Sequence, residues 1–103
     1  MKVKWYSHAR AGRRNVATYI FRRFGLRHAE RFMEQVDEKV SIIMQNPNMG
    51  TVDSLFEERP LEYRSVVINR LSKLVYRYDN NTIHIVAFWD TRQEPKKQAN
   101  QVK

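Results

Sequence analysis

Cysteine is absent from the 103 residues. That excludes disulfide frameworks, zinc–thiolate sites and thiol nucleophiles together, and leaves any chemistry to His, Lys, Arg, Tyr and carboxylates. No segment approaches the roughly 20 consecutive apolar residues that span a bilayer. The opening MKVKWYSHAR lacks the apolar stretch of a secretory signal. A cytoplasmic protein without a membrane partner is therefore expected. There is no internal repeat and no low-complexity segment.

Positive charge is plentiful. Nineteen Lys and Arg against eleven Asp and Glu give a formal net charge of +8, which favours acidic or polyanionic partners, although solubility alone also accounts for such a balance. With 42% hydrophobic and 12% aromatic residues the chain can build one modest core. A single domain is expected over 1–92. The stretch 93–103 is polar and lysine-rich without a hydrophobic period, and is expected to be a mobile tail.

Lys2–Tyr6 alternates, with Val3 and Trp5 on one side, and predicts a short strand that Ser7 can follow as a helix cap. From His8 to Phe24 the residues Val16, Ala17, Ile20, Phe21 and Phe24 recur at helical spacing beneath an arginine-rich surface. Gly25 ends that helix. A second apolar stripe through Ala29, Phe32, Met33, Val36, Val40, Ile43 and Met44 runs to about Gln45. Asn46-Pro47-Asn48-Met49-Gly50 stops it, and the segment to Pro60 reads as a loop. Three strand-like runs follow at Glu62–Ile68, Leu71–Tyr78 and Thr82–Trp89, joined by turns at Asn69-Arg70 and Asn80-Asn81. The order predicts an α+β fold. A small antiparallel sheet, made of the N-terminal strand and a three-stranded meander, carries a two-helix hairpin on one face and leaves the other open.

A two-residue turn at Asn80-Asn81 would set Arg77 opposite His84, Val75 opposite Val86, Leu74 opposite Ala87 and Lys73 opposite Phe88. Leu74, Tyr76, Tyr78, Ile83, Ile85 and Ala87 would then face the helices. Lys73, Val75, Arg77, His84, Val86 and Phe88 would share the open face, with Arg64 assigned to that side and Arg92 just beyond the last strand. Clustered cations suit phosphodiester binding and stabilise the charge of a pentacovalent phosphate, and Phe88 and Trp89 offer stacking surfaces. The plainer reading stands beside this one. Basic residues on a solvent-facing sheet are ordinary, and a His opposite an Arg is biased toward its neutral form.

The chain resembles the RelE/ParE superfamily of toxins from bacterial type II toxin–antitoxin modules. The resemblance rests on Val3-Lys4-Trp5, the helix pair ending in Asn46-Pro47-Asn48-Met49-Gly50, Tyr63-Arg64 through Lys73-Leu74-Val75-Tyr76, and Ile83-His84-Ile85 running into Asp90-Thr91-Arg92-Gln93. It implies a basic toxin neutralised by a cognate acidic antitoxin in a hetero-oligomer, with no metal or cofactor. The target is either DNA gyrase (ParE-type) or ribosome-bound mRNA (RelE-type), the latter cut by a metal-independent endoribonuclease. By the resemblance Arg64, Lys73 and Arg92 are the catalytic candidates; the open face adds His84 as a weaker one, and Arg77 and Phe88, with Arg70, as target contacts. RelE-type nucleases usually place a Tyr or His after the post-strand Arg, and Gln93–Lys103 contains neither. A non-toxic basic nucleic-acid-binding module, or an inactivated toxin, is the remaining alternative.

Overall fold

The alternating N-terminus forms β1 (Lys2–Trp5), which runs into α1 (Ser7–Phe24) and α2 (Leu26–Gln45). The computed structural model describes residues 1–56, 58, 60–70 and 72–91. After the helices come β2 (Thr51–Val52), a 3-10 turn at Ser54–Phe56, β3 (Arg64–Asn69), β4 (Ser72–Asp79) and β5 (Thr82–Asp90). Leu71, expected to open the middle strand of the meander, Arg92 and the expected tail 93–103 lie outside the described residues.

One residue joins the helices. Gly25 adopts φ 96°, a region that disfavours a side chain, and its N–H donates to the Phe21 carbonyl at 2.9 Å as α1 ends. Ser7 does not act as the cap. It is already helical, Tyr6 occupies the N-cap position, and no side chain closes that end.

The sheet order is β1-β5-β4-β3-β2. The α+β architecture with both helices on one face is as expected, but the sheet is mixed rather than wholly antiparallel, because β1 pairs with β5 in parallel. Both helices and the rest of the sheet separate β1 from β5 in sequence, so no hairpin forces them to run in opposite directions. Thr51 and Val52, expected in a loop, pair with Ser65 and Arg64 as a short edge strand.

Asn80 and Asn81 both take positive φ, 51° and 55°, as a tight turn matched to the twist of a hairpin requires. The register runs as expected from Asp79 opposite Thr82 to Tyr76 opposite Ile85. It then shifts. Val86 is an extra residue in β5, so Val75 faces Ala87, Leu74 faces Phe88 and Lys73 faces Trp89. A bulge of this kind moves every later side chain to the opposite face.

Phe88 therefore turns under the helices. It is 1% exposed and meets Phe32 edge-on at 5.9 Å between ring centroids, within a core built from Ala9, Val36, Ile43, Leu74, Tyr76, Ile83 and Ile85. Its expected place as a stacking residue on the open face is corrected by the bulge. Nor is the second face fully open. Val75, Val86, Ala87 and Trp89 form a smaller core there, covered by Phe56 of the 3-10 turn and by Tyr63. Phe56 lies parallel to the Trp89 ring at 6.4 Å. Tyr78, expected beneath the helices, is exposed, as are Phe21 and Phe24 at the end of α1.

Backbone contact fixes the spacing of helix and sheet. A Cβ at Gly12 would stand 1.8 Å from the Phe88 carbonyl oxygen, so α1 rests directly on β5 at a point only glycine permits. A second tie holds the loop after α2. The buried Tyr76 hydroxyl donates to the Pro47 carbonyl at 2.6 Å and accepts from the Gly50 N–H at 3.1 Å, and burial pushes its pKa up. Tyr76→Phe leaves both backbone groups without that partner. We expect it to lower the unfolding free energy by about 1–3 kcal/mol, read from urea denaturation.

Candidate functional site

Among the described residues, the sequence-predicted site residues do not all converge on one point: Arg64 and Arg77 line one cavity, and Lys73 stands apart from it. Arg64 lies directly opposite Tyr76, and residues so paired share a face, which places Arg64 on the helix side rather than beside Lys73. Its guanidinium donates to the Gly50 carbonyl at 2.8 Å and the Asn48 carbonyl at 3.3 Å, and pairs with the exposed Glu62 at 2.9 Å. Arg64 thereby secures the loop that Tyr76 also holds.

Lys73 is on the other face, next to Val67 and Trp89. Its ammonium meets Asp53 Oδ2 at 2.9 Å, with the two side chains 18% and 6% exposed. Asp53 is itself fixed at the start of the 3-10 turn, where Oδ1 accepts from the Leu55 N–H at 3.0 Å and the Asp53 N–H donates to the Tyr63 carbonyl. This ion pair anchors the turn that covers the second core, and the Lys73 charge is balanced within the protein.

Arg77 and His84 do come together, as expected, and the structure adds a residue between them. The Tyr6 hydroxyl accepts from Arg77 Nη2 at 3.1 Å and lies 3.0 Å from His84 Nδ1. Arg77 can only donate, so the Tyr6 oxygen accepts from it, and the same hydroxyl bonds His84 Nδ1 and holds the imidazole in place. Lys4 sits opposite His84 across the parallel β1–β5 ladder, its ammonium 4.9 Å from the centre of the Tyr6 ring. Asp79 is the acidic neighbour, 3.5 Å from Arg77 Nη1 and half exposed.

The electrostatics follow from this company. Partial burial first, then the Arg77 charge and more weakly that of Lys4, push the His84 pKa below its ordinary value, while Asp79 pulls the other way. Arg70 is exposed in the turn between β3 and β4, and its carbonyl accepts from the Thr91 hydroxyl at 3.1 Å. Among the described residues no three His, Asp or Glu side chains gather to hold a metal ion.

Sequence reasoning missed Tyr6, Lys4 and Asp53. The alternation of Lys-Val-Lys-Trp put Lys4 opposite Val3 and Trp5, which was a signal for its face. Nothing local marked Asp53, whose partner is 20 residues away.

A two-helix hairpin on one face of a five-stranded mixed sheet is the architecture of the RelE/ParE superfamily of small toxins. A chain of the chromosomal ParDE TA system from P. aeruginosa shares the fold, with a TM-score of 0.69 and 21% sequence identity over 87% of this chain and 95% of that one. The family model for the ParE toxin of type II toxin–antitoxin system, parDE, matches residues 3–95. The chain belongs to that family and is the toxin component of a type II system. Among curated proteins, none matches.

The neutral His84 carries a pH signature. Its folded pKa lies below the unfolded value near 6.5, so below that pH the unfolded chain binds more protons than the native one. Stability is then complete above about pH 6.5 and declines as the pH falls from there toward the folded pKa. Replacing His84 with Gln should flatten this part of the profile, seen as a smaller loss of Tm between neutral pH and pH 5 than in the unaltered protein.

Proposed function

We propose that this toxin inhibits DNA gyrase by binding it, and is not an RNA-cleaving enzyme. The observation that carries the reading is the separation of the nuclease candidates. Arg64 and Lys73 stand on opposite faces of the sheet, the first tied to the Gly50 carbonyl and the second to Asp53. Two cations so placed do not clamp one scissile phosphate, which is what in-line attack by a 2′-hydroxyl needs. Membership of the ParE family points the same way.

The decisive comparison sets gyrase against ribosomes. Protein at growth-arresting concentrations is expected to block supercoiling and to accumulate gyrase–DNA cleavage complexes, while mRNA in a translating extract stays intact. Cutting of mRNA in the ribosomal A site, with supercoiling unaffected, overturns the proposal.

The partner we propose is a cytoplasmic antitoxin with an acidic, amphipathic segment, in a toxin–antitoxin hetero-oligomer. The surface that fits it is the tip of the helix hairpin. Phe21, Phe24 and Leu26 are 53%, 55% and 61% exposed there, and Arg22, Arg23 and Arg27 flank them in sequence. An apolar patch with a basic rim suits an amphipathic segment whose polar side is acidic. A Phe24→Asp variant should keep its thermal stability, since the side chain is largely in water, and should bind antitoxin at least about tenfold more weakly in a titration.

A further inference from the structure

We propose that the strip of sheet opposite the helices carries a phosphodiester-binding site for a polynucleotide strand, formed by Lys4, His84 and Arg77 around the Tyr6 hydroxyl. The register supplies the geometry. Lys4 faces His84 on the neighbouring strand, and His84 faces Arg77 on the next. Three basic side chains from three adjacent strands thus stand in one line across the sheet. Lys2, opposite Thr82 one pleat repeat away, continues the track on the same face.

Charge balance separates this row from the other cations of the sheet. Lys73 and Arg64 each have a carboxylate at 2.9 Å. Among the described residues Lys4 and His84 form no ion pair, and Arg77 has only Asp79 at 3.5 Å. Burial is the main cause of the lowered His84 pKa, and the charges of Arg77 and, more weakly, Lys4 add to it. Tyr6 binds Arg77 Nη2 and Asp79 lies 3.5 Å from Nη1, on a guanidinium side chain that is 16% exposed, so the five N–H donors are not all taken and a phosphate would replace Asp79 at the outer edge. Asp79, on a half-exposed side chain, can swing aside when a phosphate arrives.

The row is an open strip, which fits a chain lying across the strands better than a small enclosed ligand. Trp89 is 3% exposed and Phe88 1%, and Tyr6 is held between Arg77 and His84, while the exposed Tyr78 occupies the alternate pleat position next to Arg77. The row itself therefore binds through the backbone phosphates. The site does not depend on which target the toxin poisons, because gyrase and the ribosome both carry polynucleotide. Failure of the gyrase assay would leave it standing.

The test uses the full-length protein and a short, mixed-sequence single-stranded oligonucleotide, followed by fluorescence anisotropy over a range of salt. Arg77→Gln is expected to weaken binding about tenfold and the exposed Lys4→Gln about threefold, each reducing the salt slope by about one. The pair Arg14→Gln and Arg31→Gln, exposed on the two helices, should change it no more than about twofold. An NMR titration of the three imidazoles adds a readout that does not need a variant. Oligonucleotide should raise the His84 pKa, because a bound phosphate favours the charged ring, and should leave His8 and His28 unmoved. The proposal is overturned if the Lys4 and Arg77 variants weaken binding no more than the helix pair does. It is equally overturned if the oligonucleotide leaves His84 unmoved, or if inorganic phosphate alone shifts it and the oligonucleotide does not.

Discussion

The extra residue at Val86 is the constraint on which both layers of the molecule depend. Up to Ile85 the hairpin pairs without interruption, and beyond it each side chain of β5 has changed face. The change puts Phe88 where Phe32 and Trp5 can enclose it, and brings its carbonyl against Gly12. It also delivers Ala87 and Trp89 to the second face, where together with Val86 they give the 3-10 turn something apolar to cover. Without the bulge the helices would lose their largest contact on β5, and the segment carrying Asp53 and Phe56 would have no core to close over. A single local irregularity thus divides the sheet into a fully covered face and a half-covered one.

That division decides what the basic residues can do. Where the second face is covered, its cation is absorbed. Lys73 sits beside Trp89, 5.9 Å from the ring centre, and its charge is balanced by a nearly buried carboxylate. A buried pair of this kind is costly to break and adds little net attraction for an outside ligand. Toward the Asn80-Asn81 end the covering stops, and Arg77 there is held by the Tyr6 hydroxyl at 3.1 Å and only loosely by the half-exposed Asp79 at 3.5 Å. A neutral tie orients a guanidinium without cancelling its charge. The same sheet therefore has structural lysine at one end and available positive potential at the other, which sequence position alone does not distinguish.

Much of the fold was legible in the sequence because its signals are local. Helical periodicity marked both helices, Gly25 their junction, and Asn80-Asn81 a turn needing two positive φ angles. The misread features are those in which distant segments decide. Four residues of alternating strand carry no information about direction, so the parallel pairing of β1 with β5 was hidden. The bulge has no Gly or Pro to announce it. Val86 is an ordinary β-branched residue in an apolar run, and strict alternation assigned Phe88 to the wrong face. For the candidate site, the meeting of Arg77 and His84 followed from the turn alone. Tyr6 was missed because its hydroxyl arrives from 71 residues away. Arg64 was misplaced because β3 offered no hairpin register as tight as that of β4 and β5.

The helix hairpin shows the same limit from the opposite side. The stripe Val16, Ala17, Ile20, Phe21 and Phe24 is continuous in sequence, yet only the first three pack on the core. Burying Phe21 and Phe24 would be favourable by about 1.5–3 kcal/mol each if there were a surface to receive them, and among the described residues none covers them fully. Amphipathic periodicity therefore reports what a helix can bury, not whether its own fold supplies the partner. An isolated globular domain would gain by replacing such residues with polar ones. Their presence beside Arg22, Arg23 and Arg27 fits the proposal that an antitoxin segment covers this surface in the two-component system.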